Sequence, residues 1–212
     1  MVSLNKCLLL GFSFLFILGC QTTPDREYKS SELKEGEWAA KAMVRDKKKR
    51  SNNYLNLEFI AERPSRMRMD VSATSLGVHL ATFVMNNRNT KYLLAREKRF
   101  YIGPTGPDMM EALVKMPLDP KVFSSILFDI LPDQDQWTCK FDNSDRLKRC
   151  NNLSDPLEIV WLKRSPNKRV IAVKSPKVDI TINLRLVRPK VQNKKVAFRL
   201  KPPKGFRVFR LK

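Results

Sequence analysis

Hydrophobic and polar side chains alternate with a period of two along most of the chain after residue 37, and this pattern limits the fold more than any other feature. Met67 and Met69, for example, alternate with Arg66, Arg68 and Asp70. Because successive side chains of a β-strand point to opposite faces of a sheet, such segments are typical of strands with one buried face. The segments with this pattern are 38–45, 55–59, 66–71, 78–85, 92–95, 100–103, 158–163, 169–174, 178–187, 196–201 and 206–211.

The middle of the chain departs from this pattern. Residues 107–116 and 120–131 each begin with a proline, which is favoured in the first turn of a helix. The second segment also has apolar residues at helical spacing, namely Val122, Phe123, Ile126, Leu127, Ile130 and Leu131. Two short helices cannot continue a sheet, so they should lie across one face or one opening. The predicted fold is therefore mainly β, a strongly curved antiparallel sheet that forms an incomplete β-barrel of about 11–12 strands capped by short α-helices.

The N-terminus has the features of an export signal. Lys6 is the only charged residue before position 20, and a nearly continuous apolar run from Cys7 to Leu18 precedes Gly19 and Cys20. An apolar run of this length is too short to span a bilayer, which makes an uncleaved anchor helix the weaker alternative. The sequence Ile-Leu-Gly-Cys at 17–20 resembles the lipobox of bacterial lipoprotein precursors, and the resemblance implies acylation of Cys20.

This resemblance divides the chain into three parts. Residues 1–19 are the predicted signal peptide, residues 20–36 a flexible tether from the lipidated cysteine, and residues 37–212 one domain. Three acyl chains on Cys20 would hold the protein on a membrane. Gln21 follows the cysteine where inner-membrane lipoproteins of enteric type often carry aspartate, so the expected location is the periplasmic face of the outer membrane.

The formal net charge of +20 favours an anionic partner. Export excludes nucleic acid and leaves lipid headgroups, lipopolysaccharide, cell-wall polymer or an acidic protein. A basic face beside an anionic bilayer gains roughly 1 kcal/mol per Lys or Arg. The alternative is that these charges form the solvated outer face of the sheet. Lys47–Arg50 is a predicted hairpin tip, where charges also prevent stray strand pairing.

The four cysteines have different predicted roles. Cys7 is removed with the signal peptide and Cys20 is acylated, which leaves Cys139 and Cys150 in an oxidising compartment. The turn residues between them predict a hairpin centred on 144–145 that places the two cysteines opposite each other, and therefore a disulfide. A redox or metal role is the weaker alternative, because the sequence has no CxxC motif and a single histidine.

Three segments resemble the LolB and LolA lipoprotein localisation family. Arg66–Gly77 resembles the strand and loop that end in Leu-Gly in the outer-membrane lipoprotein receptor LolB. Glu111–Leu118, with its Met-Pro pair, and the following residues 120–131 resemble the helical segment of that family. Phe198–Phe206 is more similar to the ending of the periplasmic carrier LolA.

The resemblance implies a function. Such a receptor accepts lipoproteins from a periplasmic LolA-like carrier, holds their acyl chains on a concave apolar face and helps to insert them into the outer membrane. By the same resemblance, Leu76 and Gly77 form a loop in which the leucine contacts membrane or cargo, although an exposed leucine on a short polar loop is also commonplace. We expect the protein to act as a monomer.

Strand alternation and helical spacing suggest the lining of the acyl-chain cavity. The candidates are Leu55, Leu57, Phe59, Met67, Met69, Val71, Val78, Leu80, Val84, Ile126 and Leu127. Methionine is flexible enough to line a cavity that adapts to its ligand, and six methionines lie in these regions, namely Met67, Met69, Met85, Met109, Met110 and Met116. An ordinary packed core would give the same pattern, so periodicity leaves both alternatives open.

Motifs of common enzymes are missing from the sequence. It contains no GxSxG, no HExxH and no P-loop. Ser31–Lys34 and Ser165–Lys168 match S-x-x-K, but a lysine-rich chain gives such matches by chance. We therefore expect no catalytic residues, no cofactor and no metal. The remaining alternative is a structural or adhesive lipoprotein that uses a basic face on lipopolysaccharide, anionic lipid or cell wall.

The role of Leu76 can be tested by the substitution Leu76→Glu. The variant should fold normally but deliver lipoproteins to liposomes poorly, because a carboxylate in the loop opposes contact with hydrocarbon. Delivery is measured as the fraction of a lipoprotein recovered with liposomes. Ser75→Glu places the same charge beside an intact leucine and should deliver normally; unimpaired delivery by Leu76→Glu would remove the leucine from the mechanism.

Overall fold

The computed structural model describes residues 28–75, 77–106, 119–132 and 135–211. Within these ranges the strands are β1 Glu35–Asp46, β2 Ser51–Glu62, β3 Arg66–Ala73, β4 His79–Asn86, β5 Asn89–Leu94, β6 Arg99–Pro104, β7 Trp137–Phe141, β8 Leu147–Asn152, β9 Glu158–Ser165, β10 Lys168–Lys174, β11 Val178–Arg188 and β12 Arg207–Arg210. The helices are α1 Pro120–Phe128 and α2 Lys194–Ala197, and a 3-10 turn spans Ser30–Glu32.

All twelve strands belong to one open, curved sheet with the order β12-β6-β5-β4-β3-β2-β1-β11-β10-β9-β8-β7. The pairing of β1 with β11 joins two meanders, β1–β6 and β7–β11, into this single sheet. Neighbours are antiparallel except β12, which runs parallel to β6. The predicted mainly β fold with a strongly curved, unclosed sheet is therefore confirmed, but the sheet is mixed because of β12.

The alternating apolar side chains collect on the concave face of the sheet. Trp38, Ala40 and Ala42 of β1 lie opposite Phe59, Leu57 and Leu55 of β2 in the strand register. These residues belong to one hydrophobic cluster that also includes the apolar positions of β3, β10 and β11. Each Å² of apolar surface removed from water contributes roughly 25 cal/mol, so this face supplies the main stabilisation of the sheet.

Helix α1 has well-defined ends. The side chain of Asp119 accepts a hydrogen bond from the backbone N–H of Lys121 at 2.8 Å, and Pro120 occupies the first turn. The helix ends at Phe128 because Asp129 adopts a left-handed conformation with φ 56°. It is therefore three residues shorter than the predicted segment 120–131. The other predicted helix, 107–116, lies outside the described residues.

The segment between β11 and β12 differs from its prediction. Residues 196–201 were expected to form a strand, but α2 and an irregular stretch occupy this region, and only Arg207–Arg210 pairs with the sheet. Val191 and Phe198 pack on the convex face against Val84. The side-chain amide of Asn86 donates to the carbonyl oxygen of Phe198 at 3.0 Å. The apolar residues of this segment are thus explained by its packing across the convex face and not by a strand.

Part of the predicted tether is folded onto the domain. Strand β1 begins at Glu35, two residues before the predicted domain boundary. The backbone N–H of Tyr28 donates to Oδ1 of Asn167 at 3.2 Å, and Nη2 of Arg63 donates to the carbonyl oxygen of Ser31 at 2.8 Å. These contacts fix the chain at the end of the sheet where the β9–β10 turn lies.

The predicted cysteine hairpin is confirmed. Cys139 of β7 lies opposite Cys150 of β8 in the strand register, and the two are joined by a disulfide. The turn between the strands is organised by Asp142, whose Oδ1 accepts hydrogen bonds from the backbone N–H groups of Ser144 and Arg146. Strand β7 is an edge of the sheet, so the disulfide fastens an edge strand to its neighbour.

Reduction of this disulfide should destabilise the protein. A cross-link between residues separated by 11 positions contributes about 3 kcal/mol in the chain-entropy model, which corresponds to a decrease in Tm of roughly 6–12 °C for a domain of this size. The test is thermal unfolding with and without a thiol reductant. The double variant Cys139→Ala/Cys150→Ala should have the Tm of the reduced wild-type protein whether or not the reductant is present. An unchanged Tm of the wild-type protein under reductant would contradict the stabilising role.

Candidate functional site

Helix α1 covers the concave face of the sheet. Its residues from Pro120 to Phe128 are buried apart from Lys121. Phe123 stacks on Phe59 of β2 with ring centroids 6.1 Å apart, and Phe128 meets the edge of Trp38 at 5.2 Å. The helix is therefore packed into the sheet by aromatic contacts with β1 and β2.

An apolar cavity remains between α1 and the sheet. It has a volume of about 50 Å³. Its lining consists of Ala42, Val44, Leu55, Leu57, Met69, Val71, Phe123, Ile180 and Ile182. An engineered protein cavity that binds benzene measures about 150 Å³, so this space is too small for an acyl chain. A fatty chain can occupy this face only if α1 moves away from it.

Most of the predicted lining residues lie on this face. Leu55, Leu57, Met69 and Val71 line the cavity. Four more belong to the same buried cluster around it, namely Phe59, Met67, Ile126 and Leu127. Alternation on β2 and β3 therefore identified the face correctly, since the convex side of β3 is polar and that of β2 is polar apart from Tyr54 and Ile60.

Three candidates lie elsewhere: Val84 was assigned to the wrong face of β4, and Val78 and Leu80 do not belong to the concave cluster. Val84 lies on the convex side in the cluster with Val191 and Phe198, whereas Phe83 and Met85 belong to the concave cluster. Val78 precedes the strand and is 51% exposed, and half-buried Leu80 is not part of the concave cluster.

The physical reason is that β4 is buried on both faces. Its residues 81–85 are all buried, because the segment between β11 and β12 covers the convex side. A strand that is apolar on both sides has no alternation from which its inward face can be identified. The register of β3 with β4 also shifts between Val71 and Ser72, so the spacing near the loop does not continue along β4.

The lining of the cavity also includes residues that were not predicted from the sequence. Ile180 and Ile182 of β11 lie beside Ala42 and Val44 of β1 because these two strands pair. Both isoleucines show the alternating pattern within 178–187, so a local signal was present. Nothing in the sequence indicates that strands so distant along the chain are neighbours.

Two arginines hold the C-terminal end of α1. Nη2 of Arg169 donates to the carbonyl oxygen of Leu127 at 2.7 Å, and Nη2 of Arg164 lies 2.9 Å from Oδ1 of Asp129. Cations at this end of a helix also interact favourably with its dipole. Burial lowers the pKa of Arg169 to about 10, although the carboxylate of Asp129 opposes the shift. The guanidinium is therefore still charged at neutral pH.

Several predicted site residues lie outside the described residues. They are Cys20, Leu76, Met109, Met110 and Met116. The neighbouring Gly77 is exposed, has φ 62°, and donates its backbone N–H to the carbonyl oxygen of Ala73 at 3.0 Å. A glycine accepts this left-handed conformation without strain.

The β3–β4 loop and the Lys47–Arg50 turn lie at the same end of the sheet. The turn connects β1 to β2, as the sequence predicts, and its Lys47 N–H donates to the carbonyl oxygen of Lys177 at 3.0 Å. Tyr28 lies at the opposite end, beside Asn167. The basic turn and Tyr28 are thus separated by the length of β1.

The described part of the chain contains neither a metal-binding cluster nor a membrane-spanning helix. Within the described ranges, no three His, Cys, Asp or Glu side chains are grouped so that they could hold a metal ion. None of the helices in the described part of the chain combines the length and the apolar character needed to cross a membrane.

Similarity to known proteins is found in the structure but not in the sequence. Neither a protein-family model nor a curated protein matches the sequence. Among solved structures, a LolA superfamily protein from Nitrosomonas europaea is similar with a TM-score of 0.46 and 8% identity, over 81% of this chain and 94% of that chain. An uncharacterized conserved protein from Thermus thermophilus gives a TM-score of 0.42 and 12% identity, over 83% and 91% of the two chains.

A third similar structure is a domain from Vibrio parahaemolyticus that is provisionally named an outer membrane lipoprotein-sorting protein. Its TM-score is 0.44 and its identity 12%, over 77% of this chain and 92% of that chain. At such low identities and TM-scores, family membership and function have to be argued from the site itself.

The contact of α1 with the two arginines can be tested by Asp129→Asn. Asparagine also tolerates the left-handed conformation, so the substitution removes the charge and keeps the backbone. The free energy of unfolding should decrease by about 2–3 kcal/mol, because the nearly buried Arg164 and Arg169 lose their carboxylate. Urea denaturation measures the change.

Asp145→Asn is the matched control for this substitution. Asp145 has the same φ of 56° but is exposed at the tip of the β7–β8 turn. Its free energy of unfolding should change by less than about 0.5 kcal/mol. Equal stability of the two variants would show that Asp129 does not hold the helix.

Proposed function

We propose that this protein is an outer-membrane lipoprotein that binds the acyl chains of other lipoproteins between the concave face of its sheet and α1, and helps to insert them into the outer membrane. The observation that carries the proposal is the site itself, in which α1 covers a wide apolar face over a residual cavity. A periplasmic LolA-like carrier is the proposed donor.

The chemistry of the cargo explains why such a face is needed. Three acyl chains contain on the order of 45 methylenes, and exposing each to water costs about 0.8 kcal/mol. A lipoprotein therefore has to pass from one apolar container to another. The concave face offers aliphatic, aromatic and methionine side chains, and Met67, Met69 and Met85 can change rotamer as a chain enters.

The proposed binding event is an exchange of apolar partners. Helix α1 buries Val122, Phe123, Ile126 and Leu127 against the sheet, and a bound acyl chain would take their place. Because hydrocarbon replaces hydrocarbon, the sheet loses little apolar burial in the exchange. The polar contacts at the end of the helix, from Arg164 and Arg169, favour the closed arrangement when no ligand is present.

Two membrane contacts expected from the sequence, the lipid anchor and the β3–β4 loop, have a role in this function. Lipidation of Cys20 would anchor the protein at the periplasmic face of the outer membrane, and Leu76 would contact the membrane or the cargo during insertion. The same end of the sheet carries exposed Lys48, Lys49 and Lys177 together with Tyr54, which is 60% exposed. Cations beside an exposed aromatic ring suit an anionic lipid surface.

This basic end also favours a second candidate function. A lipoprotein that only adheres to lipopolysaccharide, anionic lipid or cell wall would use the same lysines and would need no acyl-chain site. Lipid extraction from the purified protein separates the two candidates. Co-purified acyl species support the receptor, whereas an empty protein that binds anionic polymer supports adhesion.

The acyl-chain site can be tested with Ala42→Val. Ala42 lines the cavity, and two additional methyl groups would occupy the space into which a chain must enter. The full chain should bind a fluorescent long-chain fatty acid saturably, and Ala42→Val should weaken this binding at least roughly fivefold, about 1 kcal/mol. The measurement is a fluorescence titration.

Ala39→Val is the control, because Ala39 lies on the same strand but alternates to the opposite face. It makes the same change in strand propensity and should bind the fatty acid like the wild-type protein. Absence of saturable binding in the wild-type protein, or equal weakening in both variants, would contradict the proposed site.

A further inference from the structure

A second cavity lies at the end of the sheet where Tyr28 contacts the domain. We call it the basic cleft; it is formed by the 3-10 turn, the β7–β8 turn, the β9–β10 turn and the C-terminal end of α1, and its volume is about 560 Å³. This volume is within the range of small-molecule sites, roughly 300–1,000 Å³. The cleft lies away from the apolar cavity and shares no lining residue with it.

The charge in the basic cleft is strongly unbalanced. Its lining contains five cationic side chains, Lys29, Arg146, Arg164, Lys168 and Arg169, and one carboxylate, Asp129. Two of the cations have partners of their own, since Lys29 pairs with Glu32 at 3.4 Å and Arg146 with Asp142 at 3.1 Å. For the other three cations, Arg164, Lys168 and Arg169, the lining supplies a single carboxylate, that of Asp129.

Arg169 is the most informative residue of the cleft. It is 7% exposed, and its Nη2 is used by the carbonyl oxygen of Leu127. Its Nη1 is buried, donates no hydrogen bond, and lies 3.8 Å from Oδ1 of Asp129. The buried Nε of the neighbouring Arg164 also has no hydrogen-bond partner. Buried guanidinium donors without acceptors are costly. An anion in the cleft would satisfy them once the two side chains turn toward it.

We propose that the basic cleft binds a phosphate group. A phosphate offers several acceptor oxygens at once, and it can therefore accept from the planar fork of an arginine and from a lysine together. Arg169 and Arg164 supply the buried donors, exposed Lys168 supplies a mobile charge at the rim, and Ser30 and Ser165 add hydroxyl groups to the lining. The inference does not depend on the proposed acyl-chain function.

Two sources could supply the phosphate, a free phosphate ion or the headgroup of a phospholipid. Burial lowers the pKa of Arg169, and the like charge of Arg164 lowers it further. A bound anion would oppose both effects, because it would stabilise the charged guanidinium.

The test is isothermal titration calorimetry of the full chain in a phosphate-free buffer. Inorganic phosphate should bind saturably with one site per chain, and Arg169→Met should weaken the binding at least roughly tenfold by removing a charged donor pair. Because Arg169 also holds α1, the exposed Lys168→Gln provides the second variant, with an expected loss of roughly threefold to tenfold. Lys163→Gln, exposed on β9 outside the cleft, should bind like the wild-type protein.

A parallel titration with dihexanoyl phosphatidylglycerol distinguishes the sources. Binding of both probes with the same dependence on Lys168 supports a phosphate site open to either source, and binding of the lipid alone supports a headgroup site. No saturable binding of either probe would overturn the proposal. Binding that Lys168→Gln and Arg169→Met leave unchanged would overturn it as well, and so would equal weakening by Lys163→Gln.

Discussion

The packing of α1 against the concave face is the interaction on which the rest of the structure depends. A sheet of twelve strands that curves but does not close leaves one apolar face in need of a cover, and α1 supplies aromatic and aliphatic side chains for it. The contacts of Phe123 with Phe59 and of Phe128 with Trp38 fix where the helix lies. They also explain why the cavity beneath is small, and why a function based on acyl chains requires the helix to leave.

Local patterns predicted most of the elements but not their neighbours. Alternation identified the strands of both meanders and the concave faces of β2 and β3, and the turn residues around Asp142 placed Cys139 opposite Cys150. The same reasoning failed on β4, whose convex side is covered by the segment containing Val191, and it predicted a strand in that segment. It could not anticipate the pairing of β1 with β11, which places Ile180 and Ile182 in the cavity wall.

The basic cleft and the cover of the apolar face share two residues. Arg164 and Arg169 hold the end of α1 through Asp129 and Leu127, and the same guanidinium groups line the cleft. A phosphate bound there would compete with Asp129 for them and weaken its hold on the helix. Bound phosphate would therefore change the affinity for any ligand that displaces α1. By linkage, that ligand would change the affinity for phosphate by the same factor. Part of the large positive charge of the chain therefore has a local role, at Arg164 and Arg169, and is not only a solvated surface.

The late position of β12 in the chain has a consequence for how the protein folds during synthesis. Strand β6 is complete early in the chain, yet the strand that covers its outer edge comes after all the others. During synthesis that edge remains open until residues 207–210 arrive, and open strand edges are templates for intermolecular pairing. Nascent molecules of this protein should therefore depend on chaperones until the last strand has emerged, a dependence that the finished fold conceals.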